Sequence, residues 1–434
     1  MIFGKNTQPL NNCKIIKINS CKSLKIKPYF SRLGKQGCSK QICLLILIIV
    51  SFFAVVVKPT YTYCATQSIV EINENLQTQV NDLLGNIDFT DIQHLVENFD
   101  ENQLKMFSIN NIKDKVKSVL NGDQTINYNT VADVILEVLT RIIIQYVPMF
   151  ALIVGVGIIA SLLGQIKSKF NEKSTGDIVH FVCFCLIVVI MATCVKNLLS
   201  STYATINAMK QQVNALFPIL LTLMTGMGAV SSVGVFQPIM AVMSNIISIV
   251  IQKAVIPLFI FSFVLNIIGH LSSNVKLDKF NSFLSSLFKW LIGITFTVFF
   301  AVISIQGISA GAFDSVSLRT AKFTVSSYIP IMGGYLSQGM DLLLASGVLI
   351  KNSLGLVGIL LIISSIISPI LEIVVFSLLL KLVSAILQPL NNNRITDFLH
   401  QTSKTIIMLS SCIIAIGFMY FLSIGLCMVS ANVV

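Results

Sequence analysis

Charge is what this sequence has least of. Asp, Glu, Lys and Arg make up 11% of 434 residues, against 54% apolar residues. Several apolar runs exceed 18 residues, enough to cross a hydrocarbon core of about 30 Å. A soluble reading would need a buried core larger than single domains build. Other absences exclude chemistry. There is no GxxxxGK[ST] phosphate loop, so the chain is not expected to be its own ATPase, and there is no HExxH zinc motif. His94, His180, His270 and His400 are scattered, without Cys or carboxylate at metal-ligand spacing. No apolar run holds a carboxylate at its centre, and Glu372, just after Pro369, reads as an interfacial residue at a span end. Together these exclude the recognisable enzyme classes, and neither a cofactor nor a metal is expected. No cysteine falls between residues 65 and 182, so the polar segment there has no disulfide framework. Cys183, Cys185 and Cys194 share an apolar run and read as core packing. No internal repeat of the transporter kind is visible.

The charge that is present is unevenly placed. Residues 1–65 hold ten Lys/Arg and no acid, so most of the net charge of +11 belongs to them and nucleic-acid binding is not indicated. This leader has a basic n-region up to Lys40, the apolar run Ile42–Val57, then Lys58-Pro59. That is the pattern of a secretory signal, either cleaved near Thr62-Tyr63-Cys64-Ala65 or kept as a signal anchor. Residues 66–140 carry 12 acids and four Lys, and read as a small exported helical segment. Its stripes are Ile72, Leu76, Val80, Leu83, Leu84 and Ile87, then Ile92, Leu95, Val96 and Phe99, then Ile112, Val116, Val119 and Leu120. Thr90 with Gln93 reads as a capping box, Gly122 as a helix stop, and Thr130 with Asp133 as the start of a helix entering the membrane. The stripes serve either packing within the chain or docking of a partner.

Residues 141–434 read as a polytopic transmembrane domain. The expected spans are Ile142–Leu163, Ile178–Leu199, Ala215–Val235, Ile239–Gln252, Ala254–Leu271, Leu291–Ala310, Leu354–Ser368, Ile370–Leu387 and Thr405–Ser430, about seven to nine once short or adjoining runs fuse. The fold class is therefore all-α: a polytopic helical membrane protein, embedded in lipid, with an N-terminal signal sequence. Lys167, Lys169 and Lys173 mark the first connection as cytoplasmic, and Lys276, Lys279 and Lys289 mark a later one. Pro148, Pro218, Pro257 and Pro369 are expected to kink spans, and Gly226 and Gly228 to admit another backbone.

One stretch breaks the apolar pattern. Residues 304–358 carry Asp314, Arg319, Lys322, Asp341 and Lys351, with Pro330 and the pair Gly333-Gly334. It is too apolar for a solvent loop and too polar for a lipid-facing helix. Irregular backbone at membrane depth belongs where it is buried in protein or lines a wet cavity, so a re-entrant element is expected, with Tyr335–Ile350 as its helix. Lys381 sits in the middle of LLLKLVSAIL, where water is hard to reach. These nine residues are the candidates for a polar pathway or a partner contact; an ordinary extracytoplasmic loop is the plain alternative for Arg319 and Lys322.

The same stretch carries a resemblance. SIQGISAGAFDSVSLRTAKF, the IPIMGG turn and LLLASGVLIKNSLGLVG, together with QKAVIPLFIFSFVLNIIGHLSS at Gln252–Ser273 and LQPLNNNRITDFLHQTSKTI at Leu387–Ile406, resemble the stage III sporulation protein AE family of endospore-forming bacteria. The resemblance covers most of residues 66–434; the long basic n-region departs from it. It implies a component of the multiprotein channel between mother cell and forespore after engulfment, in the mother-cell-derived membrane around the forespore. The implied partners are the other stage III sporulation A-operon proteins, including a separate ATPase, and the forespore channel protein that completes the conduit. Two rivals stand beside it. A stand-alone small-solute permease would move its substrate alone in liposomes, and a structural scaffold would tolerate charge changes at Arg319 and Lys322.

Overall fold

The computed structural model describes residues 69–122, 127–170, 173–271, 277–328, 333–390 and 393–430. They lie within one compact unit, Thr62–Val434. The leader, residues 1–65, lies outside the described residues. Every regular element described is helical: α1 Ile69–Gly85, α2 Thr90–Glu97, α3 Glu101–Phe107, α4 Ile112–Leu120, α5 Tyr128–Phe170, α6 Lys173–Gly226, α7 Val230–Val250, α8 Ile256–Leu271, α9 Asp278–Tyr328, α10 Gly333–Leu387 and α11 Asn393–Val429. A π-turn, Ile251–Val255, joins α7 to α8, and a 3-10 turn, Gln388–Leu390, follows α10.

The four short helices form from local signals. Gly122 stops α4 with φ 75°, as expected of a glycine after a helix end. The capping box sits elsewhere than the sequence pattern places it. Asp100 and Gln103 form it at the start of α3, with the Asp100 amide donating to Gln103 Oε1 at 3.0 Å. At α2, Asp88 accepts from the Thr90 amide at 2.9 Å, and these bonds from Thr90 hold its carboxyl below the usual range. Gln93 is thereby released to tie two segments together. It donates to the Asn110 carbonyl at 3.1 Å and accepts from the Ile112 amide at 3.0 Å. The apolar stripes point inward: Val80, Leu84, Ile92, Val96, Ile112 and Val116 are all buried. Packing within the chain is what covers them, because α1 to α4 lie against α5, α6 and α10.

Among the described residues, six helical segments are long and apolar enough to cross a membrane: Asn129–Leu163, Phe181–Gly226, Val230–Leu271, Lys279–Ile305, Ser337–Leu390 and Arg394–Val429. The hydropathy pattern separates nine. The difference comes from helix continuity. Ile178–Leu199 and the first half of Ala215–Val235 are one 54-residue helix, α6. Ile239–Gln252 and Ala254–Leu271 join through the π-turn, and Leu354–Ser368 runs through Pro369 into Ile370–Leu387 as α10. The run Ala215–Val235 is instead cut by a turn at 227–229, where Gly228 has φ 83°. TGMGAV is thus a turn that needs glycine's backbone freedom, and a Cβ on Gly226 would meet nothing within 4 Å.

The long helices alternate in direction. Leu216 packs beside Gly358, and Gln212 bonds to Ser365, so α6 runs antiparallel to α10. Ser377 donates to the Ser403 carbonyl at 2.9 Å and Ser384 to that of Thr396 at 2.9 Å, while Met428 lies beside Gly355; α11 returns along the whole of α10. α5 runs parallel to α10, from Tyr146 beside Glu372 to Leu387 beside Gly157. Asn214 meets Ser244 and Asn207 meets Gln252, so α7 descends beside α6. Small side chains are the common element: hydroxyl and glycine positions let helices approach closely where apolar area alone gives no preference between lipid and protein.

Candidate functional site

The most polar part of the helix interior lies midway along α6 and α10. In α6 the run Ser200–Asn214 reads SSTYATINAMKQQVN, and Thr202, Thr205 and Gln212 in it are buried. In α10 the matching level holds Ser364, Ser365, Ser368, Pro369 and Glu372. Helix continues through both because these side chains are paired inside the protein. Tyr146 of α5 donates its hydroxyl to Glu372 Oε1 at 2.7 Å, and Ser201 of α6 donates to Oε2 at 3.3 Å. Gln212 donates to Ser365 Oγ at 2.6 Å, while Gln212 Oε1 is buried without a hydrogen-bond partner. Tyr203 donates to the Gln252 carbonyl in the π-turn at 3.2 Å.

Three helices carry a proline near this level. Pro148 follows Tyr146 by two residues in α5, Pro369 precedes Glu372 by three in α10, and Pro257 follows the π-turn by two. Each proline withholds one backbone donor, leaving the carbonyl four residues earlier without its helical partner. The four short helices dock beside this layer: Ser364 donates to the Gln103 carbonyl of α3 at 2.8 Å. A cleft of about 230 Å³ lies between them, lined by Phe99, Asp100 and Gln103 on one side and Ala208, Gln212 and Ser365 on the other. A wider, open cleft of about 860 Å³ separates α3 from α5, where Asp100, Glu101 and Glu137 face Arg141 and Gln145. Glu101 pairs with Lys105 at 2.6 Å, which holds the carboxyl low and the ammonium high. Lys115 of α4 is buried beside a third cleft, and desolvation pulls its ammonium below the ordinary lysine range.

The nine residues singled out by sequence do not form one cluster. Asp314, Arg319 and Lys322 lie on α9; Arg319 is exposed, and the side chains of Asp314 and Lys322 lie outside the described residues. Pro330 also lies outside them, in 329–332, and Gly333 and Gly334 open α10. Residues 304–328 and 333–358 are continuous helix, so the irregular backbone expected there is not found among the described residues, and Tyr335–Ile350 is the beginning of α10 rather than a separate re-entrant helix. Asp341 is exposed. Lys351 is fully buried, and its ammonium donates to the Ser430 carbonyl at the end of α11, where the helix dipole favours a cation. Lys381 is on the outer surface of α10, three residues before the Ser384–Thr396 contact. Lys351 and Lys381 stand 30 positions apart, about 45 Å along one helix.

Sequence reasoning missed Tyr146, Ser201 and Gln212, and placed Glu372 at a span end. One local signal existed: Glu372 is the single carboxylate between Asp341 and Asp397. Among the described residues no group of three or more His, Cys, Asp or Glu could hold a metal ion.

A family model described as stage III sporulation protein AE matches residues 110–431. The chain is 23% identical over 320 residues to the stage III sporulation protein AE of Bacillus subtilis (strain 168), which covers 74% of this chain and 80% of that protein. No solved structure matches it.

Proposed function

Because the chain belongs to the stage III sporulation protein AE family, we propose that it is a membrane component of the channel between mother cell and forespore, needed for spore development after engulfment. The chain performs no catalysis of its own in this reading. Energy comes from the separate ATPase, and the other A-operon proteins and the forespore channel protein complete the conduit. The observation that carries the reading is the family match over the whole six-helix bundle, 110–431.

The order of the helices supports an orientation. The α5–α6, α8–α9 and α10–α11 connections fall at one end of the alternating bundle, with Lys167, Lys169, Lys173, Lys276, Lys279 and Arg394 in or beside them. The turn at 227–229, at the other end, carries no charge. By the distribution of basic residues the first end faces the mother-cell cytoplasm. Residues 66–140 then lie in the space between the two membranes, within reach of partners there.

The test is deletion of the gene in its own sporulating host, followed by affinity capture of the tagged full chain. The expected result is completed engulfment, loss of late forespore reporter expression, and recovery of the separately encoded ATPase with the tagged protein. Normal sporulation after deletion would overturn the reading. Solute uptake by the purified chain alone in liposomes would replace it with a stand-alone permease.

A further inference from the structure

The cleft of about 230 Å³ between α3 and the middle of α6 and α10 is walled by groups that accept hydrogen bonds. Both hydroxyls on its bundle side give their protons to their own helices. Ser365 donates to the Leu361 carbonyl at 3.0 Å, and Thr205 to the Ser201 carbonyl at 2.8 Å. Ser365 Oγ is therefore the acceptor in its 2.6 Å bond with Gln212 Nε2, which fixes the orientation of the amide. Gln212 Oε1 is left over: it is buried without a hydrogen-bond partner, on a side chain 4% exposed. An acceptor in that state is costly, and a donor brought to it recovers the cost. The last torsion of glutamine is broad, so a small turn of the amide presents this oxygen to the cleft.

The cleft also favours one sign of charge. Asp100 stands exposed at its rim, and among the described residues no Lys, Arg or His lines it. Gln103 and Gln211 add neutral amides. Leu95, Ala204 and Ala208 supply apolar surface, and Phe99 an aromatic side chain of the kind that attracts cations. The volume falls below the roughly 300–1,000 Å³ of pockets for drug-sized ligands, so the fitting occupant has only a few heavy atoms.

We propose that this cleft binds a small primary ammonium ion. Its N–H groups bond to Gln212 Oε1 and Thr205 Oγ1, its charge faces Asp100, and its short alkyl body lies along Ala204, Ala208 and Leu95. Bound there, the ion ties the short helices to the bundle beside the direct bond from Ser364 to the Gln103 carbonyl. The site is tested on the purified chain, so it stands or falls apart from the channel reading.

The test is equilibrium dialysis of radiolabelled n-propylammonium against the full chain in lipid nanodiscs near neutral pH, with empty nanodiscs as the blank. One saturable site per chain is expected. Tetramethylammonium carries the charge without N–H donors, and 1-propanol carries a donor without the charge; each should compete about tenfold or more weakly than unlabelled n-propylammonium. Gln212→Met keeps the length and removes the acceptor, and should weaken binding about tenfold. Asp100→Asn keeps a residue that caps α3 and removes the charge, and should weaken binding about two- to fivefold, less at high salt. Ala208→Leu fills the cleft with every acceptor in place and should abolish saturable binding, so the site can be judged even where Gln212→Met fails to fold. No saturable binding to the parent chain would overturn the proposal and leave the cleft to water. Equal competition by tetramethylammonium or 1-propanol would overturn the primary ammonium, and binding untouched by Ala208→Leu would overturn the cleft.

Discussion

α9 and α11 are both apolar enough to cross a membrane, yet the most apolar 18-residue window of α9 is 11% buried and that of α11 is 56% buried. The difference lies in which residues each helix turns toward its neighbours. α9 presents Phe280, Phe283, Trp290, Val298 and Phe300 outward, large side chains that satisfy lipid as well as protein. α11 buries Thr402, Ser403, Thr405, Ser410 and Ser423, and a Cβ on Gly417 would come into ordinary contact with Ile366. In water, apolar area decides what goes inside. In a bilayer it does not, because lipid tails are as apolar as leucine; small residues and hydroxyls that bond across helices decide instead. The central group α6, α10 and α11 is thus set by small and polar positions that meet a neighbouring helix, whereas α9 has such residues too but turns Ser282, Ser286, Gly293 and Thr297 outward along with its large side chains.

That contrast can be broken most severely at a glycine of the central group. A Cβ on Gly358 would stand 2.2 Å from Leu216 Cδ2, and Leu216 is itself 2% exposed, with no open side to retreat toward. Gly358→Leu should therefore cost about 1–3 kcal/mol by overpacking, read as a lower detergent concentration at the midpoint of SDS-induced unfolding. An unchanged midpoint would mean that α6 and α10 are less tightly apposed than the structure has them.

A smaller effect is expected at a hydroxyl. Thr402 is fully buried and accepts from Asn266 Nδ2 at 2.7 Å; the other contact of that amide nitrogen, to the Phe398 carbonyl, is 3.4 Å. Thr402→Val keeps the shape and removes the acceptor, so the same assay should show a loss of about 0.6–1.7 kcal/mol, with Thr402→Ser restoring most of it. A neutral valine would shift the weight of the comparison from hydrogen bonding to packing alone.

The same distinction explains what was legible in the sequence. The membrane class, the helical segment at 66–140, its inward stripes and the stop at Gly122 all follow from composition, periodicity and local backbone preference. The number of helices did not follow. Residues 200–214 look like a connection because they are polar, but Thr202, Thr205 and Gln212 are held inside by neighbours that are distant in sequence. The charge density of residues 304–358 likewise groups residues that the fold separates: Arg319 and Asp341 are exposed, and Lys351 is buried at a helix end. Glu372 was passed over because its meaning lies in Tyr146 and Ser201, more than 170 residues earlier in the chain. Hydropathy averages a window, whereas a buried polar group is defined by one partner on another helix.

The smallest expected effect belongs to α9, and it tests the comparison from the other side. Phe283 is 58% exposed and its ring lies 6.3 Å from that of Phe280, itself exposed, so its neighbour adds little burial. Phe283→Leu exchanges one lipid-compatible side chain for another and should leave the SDS midpoint within about 0.5 kcal/mol of the parent chain. The paired change Phe288→Leu, at a position 1% exposed on the same helix, should be larger, because that ring fills space among packed side chains. If the two changes were equal, exposure would not be what separates α9 from α11, and the small-residue rule drawn from the central group would have to carry the difference alone.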